Sequence, residues 1–160
     1  MTLADFTKPG LITPHLRGRD AASAIHELSL ALHRAGAVPD LLQFYNTALN
    51  REFLLDTGLP PGVACPHARL PGIPKMAFAF GRADEPFAWG ARPGEPVRFV
   101  FLVAVPSEES AQFLSLMAGI ARLSGDRDLL LSLQLALDPG VIFETFHRFH
   151  VRASLPAQAS

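Results

Sequence analysis

The segment from Val97 to Val105, VRFVFLVAV, constrains the fold more than any other part of the sequence. It is apolar along nearly all of its length and rich in β-branched and aromatic residues, which predicts a strand buried on both faces. Such a strand requires helices over each side of its sheet. The sequence therefore predicts an α/β layered domain.

Two helices are predicted before this strand. The first spans about residues 20–35, because Ile25, Leu28 and Leu32 recur at helical spacing behind a capping Asp20. The second has Pro39 in its first turn. Its apolar positions are predicted to be Leu41, Leu42, Tyr45, Ala48 and Leu49. A short strand is predicted over residues 76–80, between the second helix and the segment Val97–Val105.

Three helices are predicted after the strand, which Pro106 should end. Ser107 is expected to cap the first, which runs to about Leu123 with Glu108 and Glu109 in its first turn. Its inward-facing residues are predicted to be Phe113, Leu114, Met117 and Ile120 or Ala121. The other two should cover about 127–137 and 139–149. We expect one domain over residues 1–152 and a flexible tail over 153–160.

Length, charge and cysteine content narrow the function classes. A chain of 160 residues fits one domain, and its net charge of -1 argues against nucleic-acid binding. The single cysteine, Cys65, excludes an internal disulfide and favours a reducing compartment. Neither a signal peptide nor an apolar run long enough for a membrane span is present. A cytoplasmic protein that binds another protein or a small molecule is predicted.

Reactive residues and turn residues converge between Arg51 and Arg69, REFLLDTGLPPGVACPHAR. His67 follows a proline in a glycine-rich bend, and a neutral imidazole nitrogen can attack a phosphoryl group. The guanidinium groups of the two arginines match phosphate oxygens. The hydroxyl of Thr57 and the backbone near Gly58 could contribute further hydrogen bonds. Residue types alone leave a second interpretation open, in which His67 is an ordinary turn residue.

This stretch resembles the active-site signature of the fructose/mannitol-type IIA domains of the bacterial phosphotransferase system, which include the nitrogen-regulatory IIA proteins. The matching elements are Arg51-Glu52, Asp56-Thr57-Gly58 and the run GVACPH over residues 62–67. The segments LADFTKPGLI (3–12) and PGEPVRFVFLVAVP (93–106) are similar to the opening strand region and the central strand of that family.

The resemblance implies a single α/β domain with a mixed sheet flanked by helices on both faces. It implies that His67 is phosphorylated by the histidine phosphocarrier HPr or its nitrogen-branch paralogue, and that Arg51 steadies the phosphoryl group. Thr57 and the backbone near Gly58 would line the phosphate pocket, to which the residue chemistry adds Arg69. Transfer of this kind needs neither a cofactor nor a metal. A IIB component or a regulatory target protein would be the onward partner.

Three departures from the family pattern favour a regulatory role over sugar transport. The family's second histidine is predicted to be replaced by Gln112, whose amide donates a hydrogen bond but carries no positive charge. Asp56 places a negative charge in the turn, and Pro61 replaces a small polar residue. The absence of a fused membrane or IIB domain points the same way. The alternatives are a fold-retaining binding module without efficient phosphotransfer, and a sugar-specific IIA that donates to a IIB partner.

Other conspicuous residues receive structural interpretations. His147 and His150 have the spacing of metal ligands but no completing carboxylate or thiol, so exposed helix positions are expected. Cys65 is predicted to be a small buried hydrophobe, and Trp89 a packing residue in a turn between strands.

Overall fold

The predicted central strand forms the middle of a mixed sheet. The computed structural model describes residues 1–54, 57–90, 94–109 and 111–152. β5 (Val97–Pro106) runs antiparallel to β4 (Ala77–Phe87), and β1 (Ile12–Thr13) lies parallel to β4 at one edge. β2 (Val63–Ala64) and β3 (His67–Leu70) both lie parallel to β5 on its other side.

β2 and β3 follow each other along β5 with a short break between them. Val63 pairs with Phe99, and His67 pairs with Val103. Pro66 lies in the break, where its carbonyl accepts the Val103 N–H at 2.9 Å. Proline has no N–H for a strand ladder, so such a break is expected. It leaves His67 as the first residue of β3.

Helices cover both faces of the sheet, as predicted. α1 (Ala21–Arg34) and α2 (Leu41–Leu54) precede β2 in the chain, and α3 (Ala111–Ser124), α4 (Arg127–Leu135) and α5 (Pro139–His147) follow β5. The carboxylate of Asp20 accepts the Ser23 N–H at 2.8 Å, which confirms the predicted cap of α1. Gly36 follows this helix at φ 77°, in the left-handed region that glycine adopts without strain.

The two faces of the sheet carry different side chains. Alternate residues of β5 point to opposite faces, and both sets are buried, which confirms the predicted double burial. The face under α1 and α2 is rich in alanine: Ala64, Ala68, Ala79, Ala83 and Ala104. The face under α3, α4 and α5 is rich in phenylalanine: Phe78, Phe80, Phe99 and Phe101, with Phe146 from α5 packed on them.

The predicted start of α3 was wrong. The helix begins at Ala111, and the carboxylate of Glu109 accepts the Gln112 N–H at 2.8 Å. Ser107 does not cap the helix, because it lies in a turn before it, where the guanidinium of Arg69 donates to the carbonyls of Pro106 and Ser107.

The predicted inward face of α3 was partly wrong. Leu114 is 67% exposed, whereas Leu116 is fully buried together with Ile120 and Leu123. Phe113 and Met117 are partly buried against the same core. The helix is apolar around most of its circumference, so hydrophobic periodicity alone could not select the stripe that faces the sheet.

Helix α2 also differs from its prediction at the start. It begins at Leu41 behind Asp40, whose carboxylate accepts the Gln43 N–H at 3.0 Å, so Pro39 precedes the helix. Leu42 is 67% exposed, and the fully buried Phe44 takes the core position.

Three further boundaries moved. Strand β4 extends to Phe87, well beyond the predicted residue 80, because it pairs with nearly the whole of β5. The predicted opening strand region consists of two short 3-10 helices, Leu3–Phe6 and Pro9–Leu11, before β1. The last two helices, α4 and α5, end two residues earlier than predicted.

The predicted tail 153–160 lies outside the described residues. Among the described helices, none combines the length and apolar character that a membrane crossing requires.

Candidate active site

Arg51 and His67 meet at the edge of the sheet. Arg51 lies in the last turn of α2, and His67 begins β3. The Arg51 Nε–H donates to Nε2 of His67 at 3.2 Å. The structure therefore brings together the two residues for which the sequence predicted phosphoryl chemistry.

The surroundings of the imidazole select one tautomer. A guanidinium can only donate hydrogen bonds, so Nε2 must offer a lone pair to Arg51. The ring proton then lies on Nδ1, which faces the carbonyl oxygen of Cys65 at 3.4 Å. Nε2, the nitrogen beside the guanidinium, is the one that can act as a nucleophile.

The environment also favours the neutral imidazole. Burial lowers the pKa of His67 below its ordinary value of 6.5, and the positive charges of Arg51 and Arg69 lower it further. The hydrogen bond to the Cys65 carbonyl acts in the opposite direction without reversing the shift. A neutral ring near pH 7 is the form that accepts a phosphoryl group.

Phe113 forms the apolar side of the site. Its ring centroid lies 5.1 Å from that of His67, and the Arg69 guanidinium stands over the Phe113 ring at 5.4 Å from its centroid. Arg69 also donates to the carbonyls of Pro106, Ser107 and Glu109. Its charge thus lies close to His67 while its N–H groups fix the loop between β5 and α3.

Thr57 connects the backbone of Cys65 to a buried carboxylate. Its hydroxyl contacts both carboxylate oxygens of Glu52 at 2.9 and 3.0 Å, and the Cys65 N–H donates to the same hydroxyl at 3.1 Å. Glu52 is only 8% exposed and also accepts the indole N–H of Trp89 at 2.7 Å. The sequence prediction that Trp89 only packs was incomplete, because its N–H is bonded to this buried carboxylate.

A cleft lies beside Gly58. It has a volume of about 500 Å³, and Gly58, Val63, Trp89 and Glu95 are among its lining residues. The side chains of His67 and Arg51 are not. Gly58 is therefore placed in the wall of this cleft, next to Thr57.

Three comparisons with known proteins identify the fold and the family. The model of the family described as "Phosphoenolpyruvate-dependent sugar phosphotransferase system, EIIA 2" matches residues 5–148. The chain belongs to this family. It is 32% identical over 143 residues to a nitrogen regulatory protein of Bradyrhizobium diazoefficiens, covering 89% of this chain and 93% of that one.

Solved structures of IIA proteins share this fold. The nitrogen regulatory protein IIA-Ntr of Neisseria meningitidis superposes with a TM-score of 0.82 at 24% identity, covering 90% of this chain and 98% of that one. The mannitol IIA enzyme of Escherichia coli, solved in complex with phosphorylated IIB, gives 0.74 at 18% identity, covering 88% and 98%. These likenesses establish the α/β architecture with a mixed sheet that the resemblance implied.

The side chain of α3 that packs on the His67 ring is Phe113. The sequence analysis had assigned that place to Gln112, one residue earlier. In the structure, the Glu109 carboxylate accepts the Gln112 N–H at the start of α3, while the ring of Phe113 packs on His67.

Cys65 is fully buried, as predicted, and burial raises the pKa of its thiol. His147 is exposed on α5, and His150 forms a bridge to Thr2. Within the described ranges, no group of three or more histidine, cysteine or acidic residues could hold a metal ion. The predicted contribution of Asp56 lies outside the described residues.

Three residues contribute contacts to the site that were not predicted from the sequence. Phe113 had been assigned only to the helix core, Glu52 only to the family motif, and Trp89 only to packing. The adjacency of Glu52 to Arg51 in the motif was a usable signal. No feature of the local sequence pairs Trp89 with a residue 37 positions earlier.

Proposed function

We propose that this protein is a phosphotransferase that carries a phosphoryl group on Nε2 of His67. The observation that carries the proposal is the Arg51–His67 pair, in which Nε2 of a neutral imidazole faces a guanidinium at 3.2 Å. The donor is a phosphohistidine protein, HPr or its nitrogen-branch paralogue. The protein acts in the cytoplasm, and residues 1–152 form the functional domain.

Transfer exchanges one phosphorus–nitrogen bond for another. The lone pair of Nε2 attacks phosphorus, and the donor's phosphorus–nitrogen bond breaks with its electron pair returning to the donor imidazole. Nδ1 keeps its proton toward the Cys65 carbonyl. Arg51 neutralises charge on the phosphoryl oxygens, with Arg69 adding a second positive charge nearby. Neither a metal nor a cofactor takes part in this exchange.

A regulatory role is favoured over sugar transport. The relative with 32% identity is named a nitrogen regulatory protein, and the Neisseria meningitidis structure carries the same description. In this chain Phe113, an uncharged residue, packs on the phosphoacceptor ring. An apolar ring adds no charge to speed transfer, which suits a phosphoryl group held as a signal. The onward partner is a regulatory target protein.

Sugar transport is the second candidate, supported by one observation. The mannitol IIA enzyme of Escherichia coli has this fold and was solved with phosphorylated IIB. If this chain works in the same way, a IIB component would receive the phosphoryl group from His67.

The decisive experiment combines the purified protein with phosphoenolpyruvate, the general phosphotransferase enzyme and either HPr or its nitrogen-branch paralogue. Intact mass at alkaline pH should show the addition of one acid-labile phosphoryl group, and peptide mapping should place it on His67. His67→Ala should abolish the addition and retain the fold. His147→Ala, which changes an exposed histidine on α5, is the matched control and should be phosphorylated normally.

Absence of phosphate with both donors would contradict the proposal. It would leave a binding module that retains the fold and acts through protein contacts alone. Phosphate that persists in the His67→Ala protein would contradict the assignment of the residue.

A further inference from the structure

We propose that Glu52 is a positioning residue for His67, acting through Thr57 and Cys65 and held in place by Trp89. The inference rests on the proposed function, since it concerns how the phosphoacceptor is prepared. It assigns a task to a buried carboxylate that does not itself reach the imidazole.

Glu52 is an unusual residue to find buried beside a site for a negatively charged group. Only 8% of its surface is exposed. A carboxylate in such a place requires hydrogen-bond donors. It receives them from the Thr57 N–H at 2.9 Å, the Thr57 hydroxyl at 2.9 and 3.0 Å, and the Trp89 indole N–H at 2.7 Å. The carboxylate is thereby fixed from two directions.

The carboxylate determines the direction of the next hydrogen bond. A hydroxyl group has one hydrogen, and an ionised carboxylate can only accept. The Thr57 hydrogen therefore points to Glu52, and its oxygen is left to accept the Cys65 N–H at 3.1 Å. Without the carboxylate, the hydroxyl could rotate away from this arrangement.

Cys65 is the point at which this chain of bonds reaches the imidazole. It lies in the break between β2 and β3, outside the strand pairing with β5. Gly62 and Pro66, which lie on either side of it at odd spacing, turn their carbonyls to β5, so the Cys65 N–H faces away from that strand and is bonded by Thr57 instead. The Cys65 carbonyl faces Nδ1 of His67 at 3.4 Å, and this contact keeps the ring proton away from Nε2.

Arg51 and Glu52, which are consecutive in α2, thus act on the two nitrogens of the His67 ring. Arg51 contacts Nε2 directly, and Glu52 reaches Nδ1 through Thr57 and Cys65. A purely structural Glu52 would only tie the loop and Trp89 to the helix. A positioning Glu52 also controls the tautomer of His67, and this second effect is measurable before any phosphate is present.

The test uses four variants of the full chain, and a fifth, His67→Ala, for assigning signals. Thr57→Val removes the hydroxyl, and Thr57→Ser restores it. Glu52→Gln removes one carboxylate oxygen as an acceptor, and Glu85→Gln, on an exposed residue, is the matched control. The tautomer of His67 is read from nitrogen-15 NMR of the unphosphorylated protein, with the signals assigned by their loss in His67→Ala. The initial rate of phosphorylation by HPr or its paralogue is measured in parallel.

Thr57→Val and Glu52→Gln should shift His67 from the Nδ1–H form toward a mixture of tautomers and slow phosphorylation by on the order of tenfold to a hundredfold. Thr57→Ser and Glu85→Gln should resemble the unaltered protein in both measurements. Should Glu52→Gln fail to fold, the pair of Thr57 variants decides the question, because valine replaces the hydroxyl by a methyl group of similar size, whereas serine keeps the hydroxyl and loses the methyl group.

A folded Thr57→Val protein with an unchanged tautomer and rate would overturn the inference while leaving the phosphocarrier assignment intact. The reverse result is distinguishable. If no variant, including the unaltered chain, takes up phosphate but the tautomer still responds to Thr57 and Glu52, the positioning role stands and the proposed function fails.

Discussion

Replacing Arg51 by alanine should slow the phosphorylation of His67 by about 30- to 150-fold. The Arg51 Nε lies 3.2 Å from Nε2 of His67. A phosphoryl oxygen on Nε2 would therefore lie about 4 Å from the guanidinium charge, where two unit charges interact by about 4 kcal/mol near a protein surface and about 1 kcal/mol in bulk water. Arg51 is exposed and His67 is half-buried, so the site falls between these limits. A loss of about 2–3 kcal/mol gives the stated range.

The assay must separate this loss from a change in protonation. The charge of Arg51 lowers the pKa of His67, so its removal raises that pKa and increases the protonated, inactive fraction at low pH. Initial rates should therefore be compared at about pH 8, where the imidazole is neutral in both proteins. Phosphohistidine formation can be followed by intact mass after alkaline quenching.

Two controls complete the comparison. Arg51→Lys retains the charge but not the fork of the guanidinium, and its rate should fall between those of the alanine variant and the unaltered protein. Arg34→Ala, near the end of α1, should have no effect. An Arg51→Ala rate within about threefold of the unaltered protein would limit the contribution to about 0.7 kcal/mol and refute the assigned role.

Two other predictions follow from the described contacts. Phosphorylation of His67 should lose activity on the acid side with a midpoint below 6.5, because burial and the neighbouring arginines lower the pKa of the acceptor; a pH–rate profile with its midpoint at or above 6.5 would contradict this. Arg82→Met should lower the free energy of unfolding by about 2–4 kcal/mol, since the buried guanidinium donates to the carbonyls of Pro14, Leu133 and Gln134. Urea unfolding, with the exposed Arg148→Met as control, measures this loss, and a difference under about 0.5 kcal/mol would rule it out.

The parts of the fold that could be predicted were those in which one local signal dominates. The apolar run of β5 implied burial on both faces, and Asp20 marked the start of α1. The start of α3 could not be predicted, because it depends on Arg69 of strand β3, which donates to backbone carbonyls before the helix. The exposure of Leu114 could not be predicted either, because it depends on which side of an apolar helix packs against the sheet.

The site was predictable to the extent that it resembles a known motif. Arg51 and His67, which are 16 residues apart, meet as the resemblance implied. Phe113 and Trp89 could not be assigned, because their contacts join segments that are far apart in the chain. The resemblance placed Thr57 in the pocket lining, but the bonds of its hydroxyl to Glu52 and Cys65 could not be read from the sequence.

The alanine-rich face of the sheet has a consequence for the reaction itself. Arg51 is carried by α2, whereas His67 is carried by β3, and small side chains such as Ala68 and Ala104 lie in the layer between helices and sheet. Their size sets how far the helix stands from the strand. These alanines therefore act as a spacer that determines the distance between guanidinium and imidazole. A larger residue at position 104, which does not adjoin Arg51 or His67 in the chain, would push α2 outward and so move the arginine away from the histidine.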